Sequence, residues 1–99
     1  MNTEIQFVDM HTIERVENLV QEKLDKLGNK YDFVIYAHVF FRKEPHPEQK
    51  DHVCEIRLSS PGPLIFAHEN EENFEKAIPL VMKRLEVQLE KRKAELHPY

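Results

Sequence analysis

The chain has 99 residues, 32% charged and 40% hydrophobic, the size and composition of one folded domain with a modest core. Two glycines exclude a glycine-rich phosphate loop, and a lone Cys54 excludes an internal disulfide or a cysteine-rich zinc site. No apolar run fits a signal peptide or a membrane span, so the expectation is a single cytoplasmic domain over residues 1–99 without a membrane partner.

Glu4 to Asp9 reads as a first strand, with Ile5 and Phe7 on one face. Thr12 then offers a helix N-cap. Ile13, Val16, Leu19, Val20, Leu24 and Leu27 recur at helical spacing, and Gly28 stands where a C-cap glycine belongs. The spacing predicts a helix over 13–27, fraying to Lys30.

Phe33 to Arg42 is rich in β-branched and aromatic residues and predicts a strand. Phe33, Ile35, Ala37, Val39 and Phe41 share one face; Val34, Tyr36, His38 and Phe40 share the other. Two apolar faces mark a central strand or an outer face used for contact. After a Pro-containing loop, Val53 to Ser59 predicts a third strand. Cys54, Ile56 and Leu58 point inward there, and Val53, Glu55 and Arg57 outward. Cys54 is expected to be an inert buried strand residue. Leu64 to His68 follows the Pro61-Gly62-Pro63 turn as a short fourth strand.

Asn70 or Asn73 caps a last helix running to about His97, with Phe74, Ile78, Val81, Leu85, Leu89 and Leu96 as its core stripe. At 1.5 Å per residue it spans about 35–40 Å, more than short strands cover, so its final turns should project. Pro79 removes one helical hydrogen bond and predicts a kink. The expected fold class is α+β in the order β-α-β-β-β-α, a four-stranded sheet with two helices packed on one face.

The net charge of −4 argues mildly against a nucleic-acid partner, but binding depends on local patches. On the first helix, Lys23, Lys26 and Lys30, with Arg15 at the edge, lie to one side of the core stripe. Glu14, Glu17, Glu22 and Asp25 lie to the other. On the last helix, Lys76, Lys83, Arg84 and Lys91 lie opposite the core, and Glu72, Glu75, Glu86 and Glu90 occupy an adjacent flank. Arg92 sits nearer the core stripe, and Lys93 falls on the acidic flank. Sorted signs, with Leu80 and Val87 inside the basic strip, suit a surface for an anionic partner; a solvated charged face is the plainer reading.

Nothing points to an enzyme. His38, His52 and His68 fall on three different strands and lack metal-ligand spacing. The glutamates from Glu69 to Glu75 crowd a helix start, where the helix dipole favours negative charge. Ser59 and Ser60 lack a nucleophile-elbow context. No cofactor and no metal are expected.

Two stretches carry a family resemblance. One is Val20-Gln21-Glu22-Lys23-Leu24-Asp25-Lys26-Leu27 followed by Tyr31-Asp32. The other is Ala77-Ile78 followed by Lys83-Arg84-Leu85-Glu86-Val87-Gln88-Leu89-Glu90-Lys91-Arg92-Lys93. With the element order, they resemble the ribosome hibernation-promoting factor and ribosome-associated inhibitor family, also called sigma-54 modulation proteins. The resemblance implies binding to the small ribosomal subunit and its rRNA, not DNA, over the mRNA and tRNA sites. It assigns phosphate contacts to Lys23, Lys26, Lys83, Lys91 and Lys93. The charge pattern adds Lys30, Lys76, Arg84 and Arg92. Pro79 departs from the family's aspartate, and the length is that of a short form. The alternative reading is a non-enzymatic protein-interaction module, a weak homodimer through Tyr36 and Phe40 on the outer sheet face.

Overall fold

The computed structural model describes residues 1–97. The elements are β1 (Asn2–Phe7), α1 (Glu14–Lys30), β2 (Tyr36–Lys43), β3 (His52–Ser59), β4 (Ile65–Glu71) and α2 (Phe74–Leu96). The expected order is therefore the observed one. The sheet runs β1-β2-β3-β4. β1 lies parallel to β2, with Ile5 opposite Val39 and Phe7 opposite Phe41. The long α1 crossover makes that parallel pairing possible. β2, β3 and β4 form an antiparallel meander, with Val39 opposite Ile56 and Ile56 opposite Ala67.

Strand alternation then assigns the faces. Ala37, Val39, Phe41, Cys54, Ile56 and Leu58 point to one side and are buried beneath Val16, Val20 and Leu24 of α1 and Ile78, Val81, Leu85 and Leu89 of α2. Phe7 stacks on Phe41 at 4.9 Å, and Phe74 meets the same ring edge-on at 5.1 Å, which locks the start of α2 to β1 and β2. Truncating one of the fully buried leucines to alanine removes about 2–5 kcal/mol from a domain of this size.

Five local expectations are corrected. The residue capping α1 is Ile13, whose side chain makes no capping bond, and Thr12 lies outside the helix. Ile13 packs against the core instead, so tertiary contact sets the helix entry. Gly28 lies within α1, which continues to Lys30 and closes with the Tyr31 N–H donating to the Leu27 carbonyl. Its missing side chain admits Met1, whose Cε would lie 3.3 Å from a Cβ there. β2 begins at Tyr36, because a turn at Tyr31–Val34 precedes it and breaks the alternation: Val34 is buried and Ile35 is 61% exposed. Val53 has outward parity yet is wholly buried, between its cross-strand neighbours Arg42 and Asn70. Leu96 is only half-buried and stands outside the core. In addition, β4 extends to Glu71, which leaves Asn73 as the α2 cap; its side chain accepts from the Lys76 N–H at 2.8 Å.

α2 runs unbroken through Pro79, which is exposed. It stays docked as far as Arg92. That guanidinium donates to Ser60 Oγ at 2.8 Å and to the carbonyls of Pro61 and Pro63, each at 2.7 Å. Gly62, at φ +100°, makes room for it: a Cβ there would stand 2.9 Å from Arg92 Nη1.

Candidate nucleic-acid interface

The predicted cations stand in three settings, and Lys23 and Lys26 each belong to two of them. The first lies where α1 meets α2. The basic arc of α1 faces the acidic flank of α2, so the charges segregated on each helix pair across the seam. Lys30 Nζ is 3.6 Å from Glu86 and 4.0 Å from Glu90. Arg15 donates through Nε and Nη2 to one oxygen of Glu75, at 3.0 and 2.8 Å. Glu90 is also held by the Tyr31 hydroxyl, which donates to it at 2.6 Å and keeps the carboxyl below its usual range. A cleft of about 250 Å³ opens here, lined by Lys23, Lys26, Leu27, Lys30, Met82 and Glu86. The three predicted lysines of α1 border it, and of these Lys30 pairs with Glu86.

The second group is engaged elsewhere in the fold. Arg84 Nη1 lies 3.1 Å from Glu69 and donates to the His68 carbonyl at 3.3 Å. Gln88 donates to the Phe66 carbonyl at 2.8 Å. With Arg92 on the β3–β4 turn, these side chains recur every four residues down α2 and cover the outer edge of β4. Sequence reasoning placed Arg92 beside the core, where it is, but missed its partners. The signal available was the four-residue spacing of Arg84, Gln88 and Arg92 opposite an edge strand. Lys76 is paired with Glu72 at 3.0 Å, and Lys26 with Glu22 at 3.4 Å. Such exposed pairs are weak and exchange readily with other anions.

The third group is free. Among the described residues, no carboxylate lies within ion-pair distance of Lys23, Lys83, Lys91 or Lys93. Lys83, Lys91 and Lys93 are exposed on α2. Leu80 and Val87, at 39% and 69% exposed, interleave with Lys83 and Lys91, while Lys93 lies on the acidic flank, where its charge favours the ionised Glu90. Solvated ammonium groups beside apolar side chains suit the phosphates and sugar faces of RNA.

The opposite, open face of the sheet is less available than its rings suggest. The Tyr36 hydroxyl donates to Glu4. Phe40 stacks on His38 at 4.0 Å and lies under Arg57 at 4.9 Å. Arg57 and Arg42 both donate to Glu55, at 2.7 and 2.9 Å. Burial opposes ionisation of Glu55, but the two guanidinium groups outweigh it and hold the carboxyl below its usual range. The three strand histidines do not converge, since His52 packs on Phe74 on the helix side while His38 lies on the open side. Among the described residues no cluster of His, Cys, Asp or Glu is arranged for a metal. Burial pushes the Cys54 thiol up to about 12, so it stays protonated. Among the described residues no helix is long and apolar enough to cross a membrane.

Comparison with known proteins adds three findings. The family described as sigma 54 modulation protein / S30EA ribosomal protein matches residues 3–97. A ribosomal subunit interface protein from Coxiella burnetii superimposes with a TM-score of 0.83 at 22% identity, over 95% of this chain and 99% of that one. The N-terminal domain of Thermus thermophilus Protein Y does so with a TM-score of 0.73 at 23% identity, over 92% and 98%. At these identities the two structures establish a shared fold. No curated protein sequence matches the chain.

Proposed function

Because the chain belongs to the sigma 54 modulation protein / S30EA ribosomal protein family, we propose that it is a non-enzymatic ribosome-associated factor. In this reading it docks the exposed face of its helix layer on small-subunit rRNA and blocks the mRNA and tRNA sites. One observation supports the surface chosen: Lys83, Lys91 and Lys93 stand exposed on α2 without a carboxylate partner among the described residues. Lys23 and Lys26, at the mouth of the inter-helix cleft, extend that surface onto α1. Recognition of this kind works through counterion release and backbone shape, not base sequence.

The test is binding to isolated small subunits across a salt series, with Lys83→Glu/Lys91→Glu beside wild type. Five phosphate contacts predict that log affinity falls against log salt with a slope of about −3 to −5. The double variant should bind at least tenfold more weakly and with a shallower slope. A wild-type protein that ignores small subunits near physiological salt, or binds them independently of salt, removes the proposal.

A further inference from the structure

Three of the six large hydrophobic side chains exposed among the described residues border adjoining clefts where β4 meets α2. Leu64 and Phe66 lie at β4, 52% and 55% exposed, and Val87 lies on α2. Between them runs an open groove of about 500 Å³, lined by Phe66, Ala67, His68, Arg84, Val87 and Gln88. Phe66 also borders a second cleft on the open sheet face, with Glu55, Arg57, Leu64 and His68. Its ring is therefore a ridge with space on either side. Strand alternation explains why it points out, since its neighbours Ile65 and Ala67 point in.

An exposed edge strand beside an apolar groove ordinarily invites a peptide to add as a further strand. Part of this edge is already taken. The carbonyls of Phe66 and His68, which face away from β3, already accept hydrogen bonds from Gln88 and Arg84. What remains open is an aromatic face, an aliphatic wall and cations. Lys91 lines the adjoining cleft with Leu64 and Gln88, and Lys83 stands exposed on the same helix. The three carboxylates nearby are paired within the chain, Glu55 with Arg42 and Arg57, Glu69 with Arg84 and Glu95 with Arg92. A flat ring with the unpaired Lys91 in the cleft next to its own complements a nucleotide whose base is unstacked.

We propose that the β4–α2 groove is a stacking site for an unpaired RNA base, with Phe66 as its platform and Lys91 on the adjoining phosphate. The site rests on the rRNA reading above and supplies that reading with a contact that salt does not screen.

The chain contains no tryptophan, so Phe66→Trp introduces a single emitter at the site. Its fluorescence should be quenched saturably by isolated small subunits and by a ten-nucleotide oligoadenylate. Phe66→Leu should bind small subunits roughly 10-fold more weakly with an unchanged salt slope, because one stacked base is lost and no phosphate contact. Ile35→Ala, at an exposed apolar position outside the groove, should match wild type. Circular dichroism establishes that each variant is folded. If wild type fails to bind small subunits, the rRNA reading falls. If wild type binds and Phe66→Leu binds equally well, or if Phe66→Trp emission is unmoved on bound subunits, the stacking site alone falls. If Phe66→Leu abolishes self-association in sedimentation and leaves subunit binding intact, the groove's occupant is a second copy and the proposal is overturned.

Discussion

Lys30 and Glu86 lie 3.6 Å apart on the seam between the helices, with their side chains about half exposed. The carboxylate lines the same cleft as Lys23, Lys26 and Lys30. Any anion entering this cleft must displace it or tolerate it. Two unit charges at about 4 Å in water interact by about 1 kcal/mol, so the effect is modest but measurable. Glu86→Gln should therefore tighten small-subunit binding by about 2- to 5-fold at low salt, and the gain should fade as salt rises. Equal affinities at every salt concentration would show that the cleft lies outside the contact surface. Glu90 is less free to move, since the Tyr31 hydroxyl holds it. The sequence showed both strips of charge but not that they meet. Which side of each helix turns toward the other is decided by the core stripes and by the sheet beneath. Arg92 carries the same lesson: its distance from the core stripe was legible, but its acceptors lie in a turn far away in sequence.

At the level of elements, helical periodicity located both helices because Val16, Val20, Leu24 and Leu27 and their counterparts on α2 all face one core. Boundaries were less legible wherever packing overruled a local signal. Gly28 is the clearest case. A glycine ending a helix usually adopts a left-handed conformation, and alanine there is strained. Here Gly28 is inside α1 and packs beside the flexible end of Met1. Gly28→Ala should consequently raise stability by up to about 1 kcal/mol in urea denaturation, the helix-propensity difference less any displacement of Met1. A loss of similar size would restore the capping role. Val53 and Ile35 were misplaced for a related reason. Alternation gives the direction of a side chain, whereas burial also depends on what the neighbouring strand lays over it, and the turn before Tyr36 resets the alternation. Phe66 was missed because a strand this short, following a Pro-Gly-Pro turn, gives few alternating positions from which to read a face.

For the molecule as a whole, element order and fold class were legible, and strand order was not, since nothing in β1 itself specifies β2 as a parallel partner. The ion-pair network predicts how the domain responds to acid. Glu55 and Glu75 have carboxyl groups held below the usual value of 4.5: burial opposes the shift at Glu55 but Arg42 and Arg57 outweigh it, and Arg15 leads it at Glu75. A lowered folded-state pKa adds stability that is fully present above the unfolded value and is lost as pH falls through the folded one. Wild-type Tm should thus drop between pH 5 and pH 3, and Glu55→Gln/Glu75→Gln should show a smaller drop over that interval. Equal drops would mean that other carboxylates govern acid unfolding. The parallel pairing of β1 with β2 has a further consequence, for how the chain comes into being. Asn2 pairs with Tyr36, and between them lies the whole of α1. At roughly 5–20 residues per second of synthesis, β1 waits a few seconds before its only partner strand exists. The β2–β3–β4 meander closes between consecutive segments, so β1 waits longer than any other strand of the sheet for its neighbour to be made.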